Sequence, residues 1–149
     1  MTPLPPGSPA PPVAAAGGAD GLRGLLFYKV SCPTCQMAAP VAERLYRAVG
    51  ELLVAVAQDP PERVRGFEAS YGTSFPSLSD AEPHEVSDAY GVRTVPTLFL
   101  LRDGRVDDVV ESWDREGWNR VGAKLAAAAD VAAEALSWPG DGLPPFRPG

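Results

Sequence analysis

Positive charge is scarce in this sequence, and that scarcity excludes one large class of partners. The chain of 149 residues carries 13 Lys and Arg against 19 Asp and Glu, which gives a formal net charge of −6 at pH 7. Binding to nucleic acid depends on clustered Lys and Arg side chains that neutralise phosphates. The charge balance therefore argues against a nucleic-acid partner.

Long apolar runs are also lacking. No run of about 18 apolar residues occurs, so no segment is predicted to span a membrane. No basic segment followed by an apolar stretch of sufficient length stands near the N-terminus, so no secretory signal is predicted. We therefore expect a cytoplasmic protein, with a periplasmic or anchored location as the alternative if an export signal is removed.

Cysteine and histidine are few. The chain has two cysteines, Cys32 and Cys35, and one histidine, His84. Two cysteines at C-x-x-C spacing are too few and too close for a disulfide scaffold. A structural zinc site needs a second pair of ligands, which this sequence lacks. The sequence thus predicts no metal and no organic cofactor, and leaves an inert pair of core thiols as a further interpretation.

What the sequence does have is a hydrophobic fraction of 45%, arranged in short segments between Pro, Gly and charged residues. A chain of this length forms one domain with a real core. We divide it into a Pro/Ala/Gly-rich N-terminal arm (1–20), a domain (21–136) and a Pro/Gly-rich, coil-like tail (137–149). The arm is predicted to be either disordered or extended along the domain with Val13 packed inward.

The apolar segments predict the element order β-α-β-α-β-α-β-β-α. Strands are predicted at 25–30, 52–57, 74–78, 95–101 and 105–110, and helices at 32–47, 60–71, 82–90 and 114–136. Residues 22–24 are interpreted as a turn before the first strand. Asp103-Gly104 is a strong hairpin signal, so the last two strands should be antiparallel. With helical crossovers before them, the sheet is mixed, helices cover both faces, and the class is α/β.

The two cysteines stand where the first predicted strand passes into the first predicted helix. Free N–H groups and the macrodipole at a helix start favour an anion, so a thiolate at Cys32 is stabilised there. Cys35 lies one turn further and is expected to be more buried. We therefore assign Cys32 as the nucleophile that attacks a disulfide and Cys35 as the resolving thiol.

Three neighbours are expected to modulate this chemistry. Pro33 removes one N–H that would face the thiolate, whereas the hydroxyl of Thr34 is a candidate donor to it. Lys29, three residues before the nucleophile, is a candidate source of positive charge, with a solvated lysine as the simpler interpretation.

Three motifs resemble the thioredoxin superfamily. In chain order they are the dithiol Cys32-Pro33-Thr34-Cys35 after an apolar strand, Pro40 in the following helix, and Val95-Pro96-Thr97 before a later strand. In that family the proline that corresponds to Pro96 is cis, lies against the dithiol, and helps hold the substrate chain as an added strand. The resemblance therefore implies substrate contacts at Val95, Pro96, Pro33 and Thr34.

Within the superfamily, two segments are similar to the redoxin branch, which contains the TlpA-type thiol–disulfide reductases and the peroxiredoxins. They are residues 71–80 and 90–97, and membership of that branch implies an extra strand-helix insertion in the middle of the chain. Residues 7–11 and 22–24 resemble the N-terminal arm of that branch. The implied fold is thioredoxin-like, with a central mixed sheet flanked by helices.

Two positions depart from the family pattern. Leu26 stands where reductases of this kind often carry a buried acid that moves the proton of the resolving thiol. Lys29 stands where the peroxidatic motif has threonine. The dithiol assignment is unaffected, but the proton must be transferred through water or another group.

These residues support three functional hypotheses. The first is a thiol–disulfide oxidoreductase that acts on protein or small-molecule disulfides and depends on a reductase or oxidase partner that recycles it. The alternative is a peroxiredoxin-like peroxidase with Cys32 peroxidatic and Cys35 resolving. The second alternative is a non-catalytic binding module that uses the cis-proline groove or Trp113, Trp118 and Trp138.

Overall fold

The structure is a computed structural model that describes residues 2–13 and 20–149. Its centre is a five-stranded sheet surrounded by helices. Its strands are β1 (Leu22–Tyr28), β2 (Leu53–Ala57), β3 (Ser77–Ser79), β4 (Thr97–Arg102) and β5 (Arg105–Glu111). The α-helices of the described residues are α1 (Pro33–Val49), α2 (Pro61–Tyr71), α3 (Glu85–Ala89) and α4 (Arg115–Ala128). Two short strands, β6 (Trp113–Asp114) and β7 (Phe146–Arg147), form a separate ribbon.

The sheet is mixed, as predicted, in the order β3-β2-β1-β4-β5. β1 pairs with β2 in parallel and with β4 antiparallel, while β5 returns antiparallel beside β4 through the predicted hairpin. The predicted insertion is present as β3 and α3, between α2 and β4. This order places β1 at the centre of the sheet, so the loop that follows it emerges in the middle of the molecule.

The side chains of β1 alternate between two cores. Leu26 and Tyr28 pack with residues of α1, α2 and α4, whereas Leu25 and Phe27 pack with the N-terminal arm and the segment after α3. All four side chains are buried because both faces of the central strand are covered. Gly24 allows α4 to approach closely, since a methyl group there would lie 2.8 Å from Leu125 Cδ1.

The N-terminal arm is extended along the domain, which is the second of the two predicted states. The N–H of Leu4 donates to Tyr90 O at 3.0 Å, and the N–H of Gly7 donates to Val106 O at 2.8 Å. Val13 is buried, as predicted for an inward-packed residue. The rest of the predicted arm, residues 1 and 14–19, lies outside the described residues.

Several details differ from the sequence-based expectations. Residues 22–24 are part of β1 and not a turn, because they pair with the end of β4. The last helix ends at Ala128 and not near Leu136, and the chain then turns back through Asp130, which has a φ of +57°. The side-chain oxygen of Asn119 accepts a hydrogen bond from Leu136 N at 2.7 Å and holds the returning segment against α4. The tail is not simply coil, since it contains β7.

The tryptophans do not form a common surface. Trp113 and Trp118 are fully buried and lie against each other, with ring centroids 5.2 Å apart. Trp138 is exposed, and the guanidinium of Arg44 lies over its ring. Two of the three tryptophans of the binding-module hypothesis are therefore core residues.

Replacing Tyr90 by Phe tests how much the arm contributes to stability. The hydroxyl of Tyr90 donates to Pro11 O at 2.6 Å, and Tyr90→Phe removes this bond while keeping the ring. We expect a loss of about 1 kcal/mol in the free energy of unfolding, measured by urea titration. Tyr71→Phe, on a ring that is 38% exposed, is the control and should change little. Equal stabilities of the two variants would show that the arm contact is not stabilising.

Candidate active site: the dithiol at the start of α1

The loop between β1 and α1 is fixed by side chains from two other places in the chain. The N–H of Val30 donates to Asp59 Oδ2 at 2.8 Å, and Gln36 Nε2 donates to Val30 O at 3.0 Å. The N–H of Cys32 donates to Lys29 O at 3.1 Å, which closes the turn. These bonds hold Cys32 at one position at the end of the central strand.

Cys32 is the N-cap residue of α1. Its backbone is extended, and its sulfur accepts a hydrogen bond from the N–H of Cys35 at 3.1 Å. Pro33 occupies the first helical turn, as predicted, where its missing N–H costs no helical bond. Cys32 is half-buried, whereas Cys35 is buried.

These surroundings lower the pKa of Cys32 to about 6. The largest cause is the hydrogen bond from the Cys35 side chain, followed by the backbone N–H groups of Cys35 and Thr34 and by the charge of Arg147, while partial burial acts in the opposite direction. All the favourable causes stabilise the charged sulfur. Cys32 is therefore a thiolate at neutral pH.

Cys35 has the opposite environment. It is 4% exposed, and burial raises the pKa of its thiol, with the adjacent Cys32 as a further cause. A small apolar cavity adjoins it, lined in part by Leu26, Phe67 and Trp118. Cys35 thus stays protonated and donates to the Cys32 sulfur. The two cysteines are free in this structure.

The loop before β4 forms the facing wall of the site. The Val95–Pro96 peptide is cis, as the resemblance implies. The Cys32 sulfur lies 3.4 Å from Val95 O, to which its protonated form donates. The Thr97 hydroxyl donates to Thr94 O, and the N–H of Ser112 donates to Pro96 O at 2.7 Å, so the loop is tied on both sides. The dithiol and the cis-proline are thereby brought together.

One predicted modulator is placed differently from expectation, and another is exposed, which agrees with its simpler interpretation. The hydroxyl of Thr34 donates to Pro148 O at 2.6 Å, so its proton is not directed at the thiolate; Thr34 acts on Cys32 through its backbone N–H. The side chain of Lys29 is exposed, and a charge of Lys29 acting on the site stays a prediction. Arg147, far away in sequence, supplies positive charge beside Cys32.

Two residues of the site were not predicted. Asp59 follows β2, the parallel neighbour of β1, and parallel strands present their carboxyl ends at one edge, so its position offered a usable signal. It is 5% exposed, and its charge contributes to the raised pKa of Cys35. Arg147 stands in a Pro/Gly-rich tail, and no sequence pattern pointed to it.

Among the described residues, no three His, Cys, Asp or Glu side chains come together as metal ligands would. No helix in that part of the chain has the length and apolar character needed to cross a membrane.

A dithiol at the start of the first helix, opposite a cis-proline and on a mixed five-stranded sheet, defines a thioredoxin-like protein. The sequence profile of the AhpC/TSA family matches residues 20–109, more than half of the chain. The chain belongs to the AhpC/TSA family.

One curated relative is the thiol-disulfide oxidoreductase ResA of Halalkalibacterium halodurans, which is 37% identical over 83 residues. The match covers 53% of this chain and 47% of that relative. The chain spans about half the length of the curated relatives of this name that it matches.

Two solved structures show the same fold. The thioredoxin domain of a thiol-disulfide oxidoreductase from Bacteroides vulgatus has a TM-score of 0.63 at 17% identity, covering 79% of this chain and 96% of that domain. The bacterioferritin comigratory protein of Xanthomonas campestris, studied for alkyl peroxide reduction, has a TM-score of 0.60 at 22% identity, covering 74% and 82%. At these identities the likeness concerns the fold alone.

Replacing Cys35 by Ala tests the main cause of the low Cys32 pKa. Because Cys35→Ala removes the side chain that donates to the Cys32 sulfur, we expect the pKa of Cys32 to rise from about 6 towards the ordinary cysteine value of about 8.5. The measurement is the rate of iodoacetamide alkylation between pH 5 and 9. Ser31→Ala, at an exposed neighbour, is the control and should keep the wild-type profile. An unchanged midpoint in Cys35→Ala would refute the assigned cause.

Proposed function

We propose that this protein is a thiol–disulfide oxidoreductase that exchanges the Cys32–Cys35 dithiol with disulfides of proteins or small molecules. The observation that carries the proposal is the division of roles between the two sulfurs. Cys32 is half-buried with a pKa lowered to about 6, whereas Cys35 is buried with a raised pKa. A reactive anion beside a protonated partner is the arrangement that disulfide exchange requires.

The reaction consists of two exchanges. The Cys32 thiolate attacks one sulfur of the substrate disulfide, the substrate S–S bond breaks, and the other substrate sulfur leaves as a thiolate. Cys35 then loses its proton and attacks the Cys32 sulfur, which forms the Cys32–Cys35 disulfide and releases the second substrate thiol. Two electrons pass to the substrate, and the Cys35 proton ends on a released sulfur, so no metal or organic cofactor is required.

The residue in need of a proton acceptor is Cys35. Leu26 packs beside it and offers no carboxyl group. In this proposal the proton leaves through water or through the departing substrate thiolate, and it leaves only once the mixed disulfide has removed the negative charge from Cys32. The loss of that charge lowers the electrostatic cost of ionising Cys35, because Cys32 contributes to its raised pKa.

The substrate is proposed to lie between the start of α1 and the cis-proline loop. Val95 and Pro96 would contact it on one side, and Pro33 and Thr34 on the other, with main-chain pairing along Val95 as the mode of recognition. The closeness of Val95 O to the Cys32 sulfur, 3.4 Å, supports this placement. A recycling reductase or oxidase and a cytoplasmic location stay predictions, which thiol-trapping of complexes and cell fractionation would test.

A reduction assay with a trapping step tests the proposal. Wild-type protein is expected to accelerate the reduction of an insulin-type disulfide by dithiothreitol, and Cys32→Ser should return the rate to that of dithiothreitol alone. Cys35→Ser should retain the first exchange and accumulate a mixed disulfide through Cys32, which is detectable by mass spectrometry. The two serine variants serve as matched controls for each other, since they differ only in which sulfur is lost.

The competing functions give different results in the same experiment. Rapid oxidation of the reduced protein by hydrogen peroxide, together with no acceleration of disulfide reduction, would replace the proposal by the peroxidase. A Cys32→Ser protein that retains its cellular role would replace it by the binding module.

A further inference from the structure

The end of the described chain crosses the proposed active site. We call residues 146–149 the strap. Two hydrogen bonds anchor the residues just before it: Trp113 Nε1 donates to Pro144 O at 2.7 Å, and the N–H of Arg115 donates to Pro145 O at 3.0 Å. The first two strap residues then form β7 beside β6.

The strap contacts both walls of the site. On the helix side, the hydroxyl of Thr34 donates to Pro148 O at 2.6 Å, and Arg147 lies against Met37 with 3.9 Å between Nη1 and Sδ. On the cis-proline side, the N–H of Gly149 donates to Ser112 Oγ at 3.3 Å. Arg147 is also the cation whose charge lowers the pKa of Cys32. The strap therefore bridges the dithiol helix and the facing loop.

The position of Gly149 is especially close to the cis-proline loop. A methyl group on Gly149 would overlap Val95 O and lie 2.7 Å from Thr94 Oγ1. Val95 is the residue along which, in the proposed function, an extended substrate pairs through its main chain. Two polypeptide segments cannot occupy this place together, so the strap and an extended substrate exclude each other.

The strap can leave without opening the core. All four of its residues are exposed, and Phe146 is exposed to 56%. None of them belongs to either buried cluster, and the anchors at Pro144 and Pro145 lie before the strap. Its release therefore breaks the hydrogen bonds to Thr34 and Ser112 and the short β6–β7 pairing, while no residue of either buried cluster is removed.

We propose that the strap determines substrate specificity by occupying the site, between the start of α1 and the cis-proline loop, where an extended polypeptide substrate would bind. With the strap in place, the half-buried Cys32 sulfur reacts with small disulfides, while an extended polypeptide disulfide reacts only after the strap has moved away. This inference rests on the proposed function and adds the class of substrate that each state of the site accepts.

Two variants test the inference by weakening or removing the strap. Gly149→Ala introduces a methyl group into the contact with Val95 O, and a variant without residues 146–149 lacks the strap altogether. Gly66→Ala is the matched control, because a methyl group on that helical glycine meets no atom within 4 Å. Rates are measured at pH 8 with bis(2-hydroxyethyl) disulfide and with an insulin-type polypeptide disulfide. The ratio of the two rates is compared, because a change in the thiolate fraction of Cys32 affects both rates alike.

We expect both strap variants to increase the rate on the polypeptide relative to the small disulfide by about 5- to 30-fold, the range for losing one or two net hydrogen bonds. Gly66→Ala should keep the wild-type ratio. An unchanged ratio in the variant without residues 146–149 would overturn the inference, whereas a wild-type protein that reduces neither disulfide would overturn the proposed function instead. If the ratio changes only in the variant without residues 146–149, the strap is responsible for the effect and the Gly149→Ala substitution does not displace it.

Discussion

The hydrogen bond from the Cys35 N–H to the Cys32 sulfur is the contact on which the rest of the site depends. It exists because Cys32 is the last extended residue before α1 and Cys35 the third residue inside it. A helix start has unpaired N–H groups that need acceptors, and here a sulfur takes the place that an oxygen of Ser or Asp usually fills. A structural requirement of the helix thus becomes stabilisation of a thiolate.

The two sulfurs belong to one turn of helix and yet have pKa values shifted in opposite directions. The difference arises from the sheet beneath them. Because β1 is central and both its faces are covered, a side chain that points back from α1 towards the sheet is buried, as Cys35 is. Cys32 lies beyond the end of the strand, where the cis-proline loop covers it only in part. Desolvation therefore acts mainly on the resolving thiol.

The fold and the centre of the site could be predicted from sequence because their signals are local. Apolar runs between Gly and Pro gave the element order, and Cys32, Cys35 and Pro96 stand in short motifs. The predictions that were wrong concern residues whose structure depends on contacts with residues far away in the chain. Residues 22–24 extend β1 only because β4 pairs with them, and Thr34 donates to a carbonyl 114 positions later. No local pattern in the Pro/Gly-rich tail indicates that it returns to the dithiol or brings Arg147 beside Cys32.

Titration of the reduced protein, followed by thiolate absorbance at 240 nm, tests directly whether the two sulfurs have pKa values shifted in opposite directions. We expect one thiolate per chain below pH 8, with a midpoint near pH 6, since the pKa of Cys32 is lowered to about 6 and that of Cys35 is raised. A midpoint at or above the ordinary cysteine value of about 8.5, or two thiolates appearing together, would contradict it.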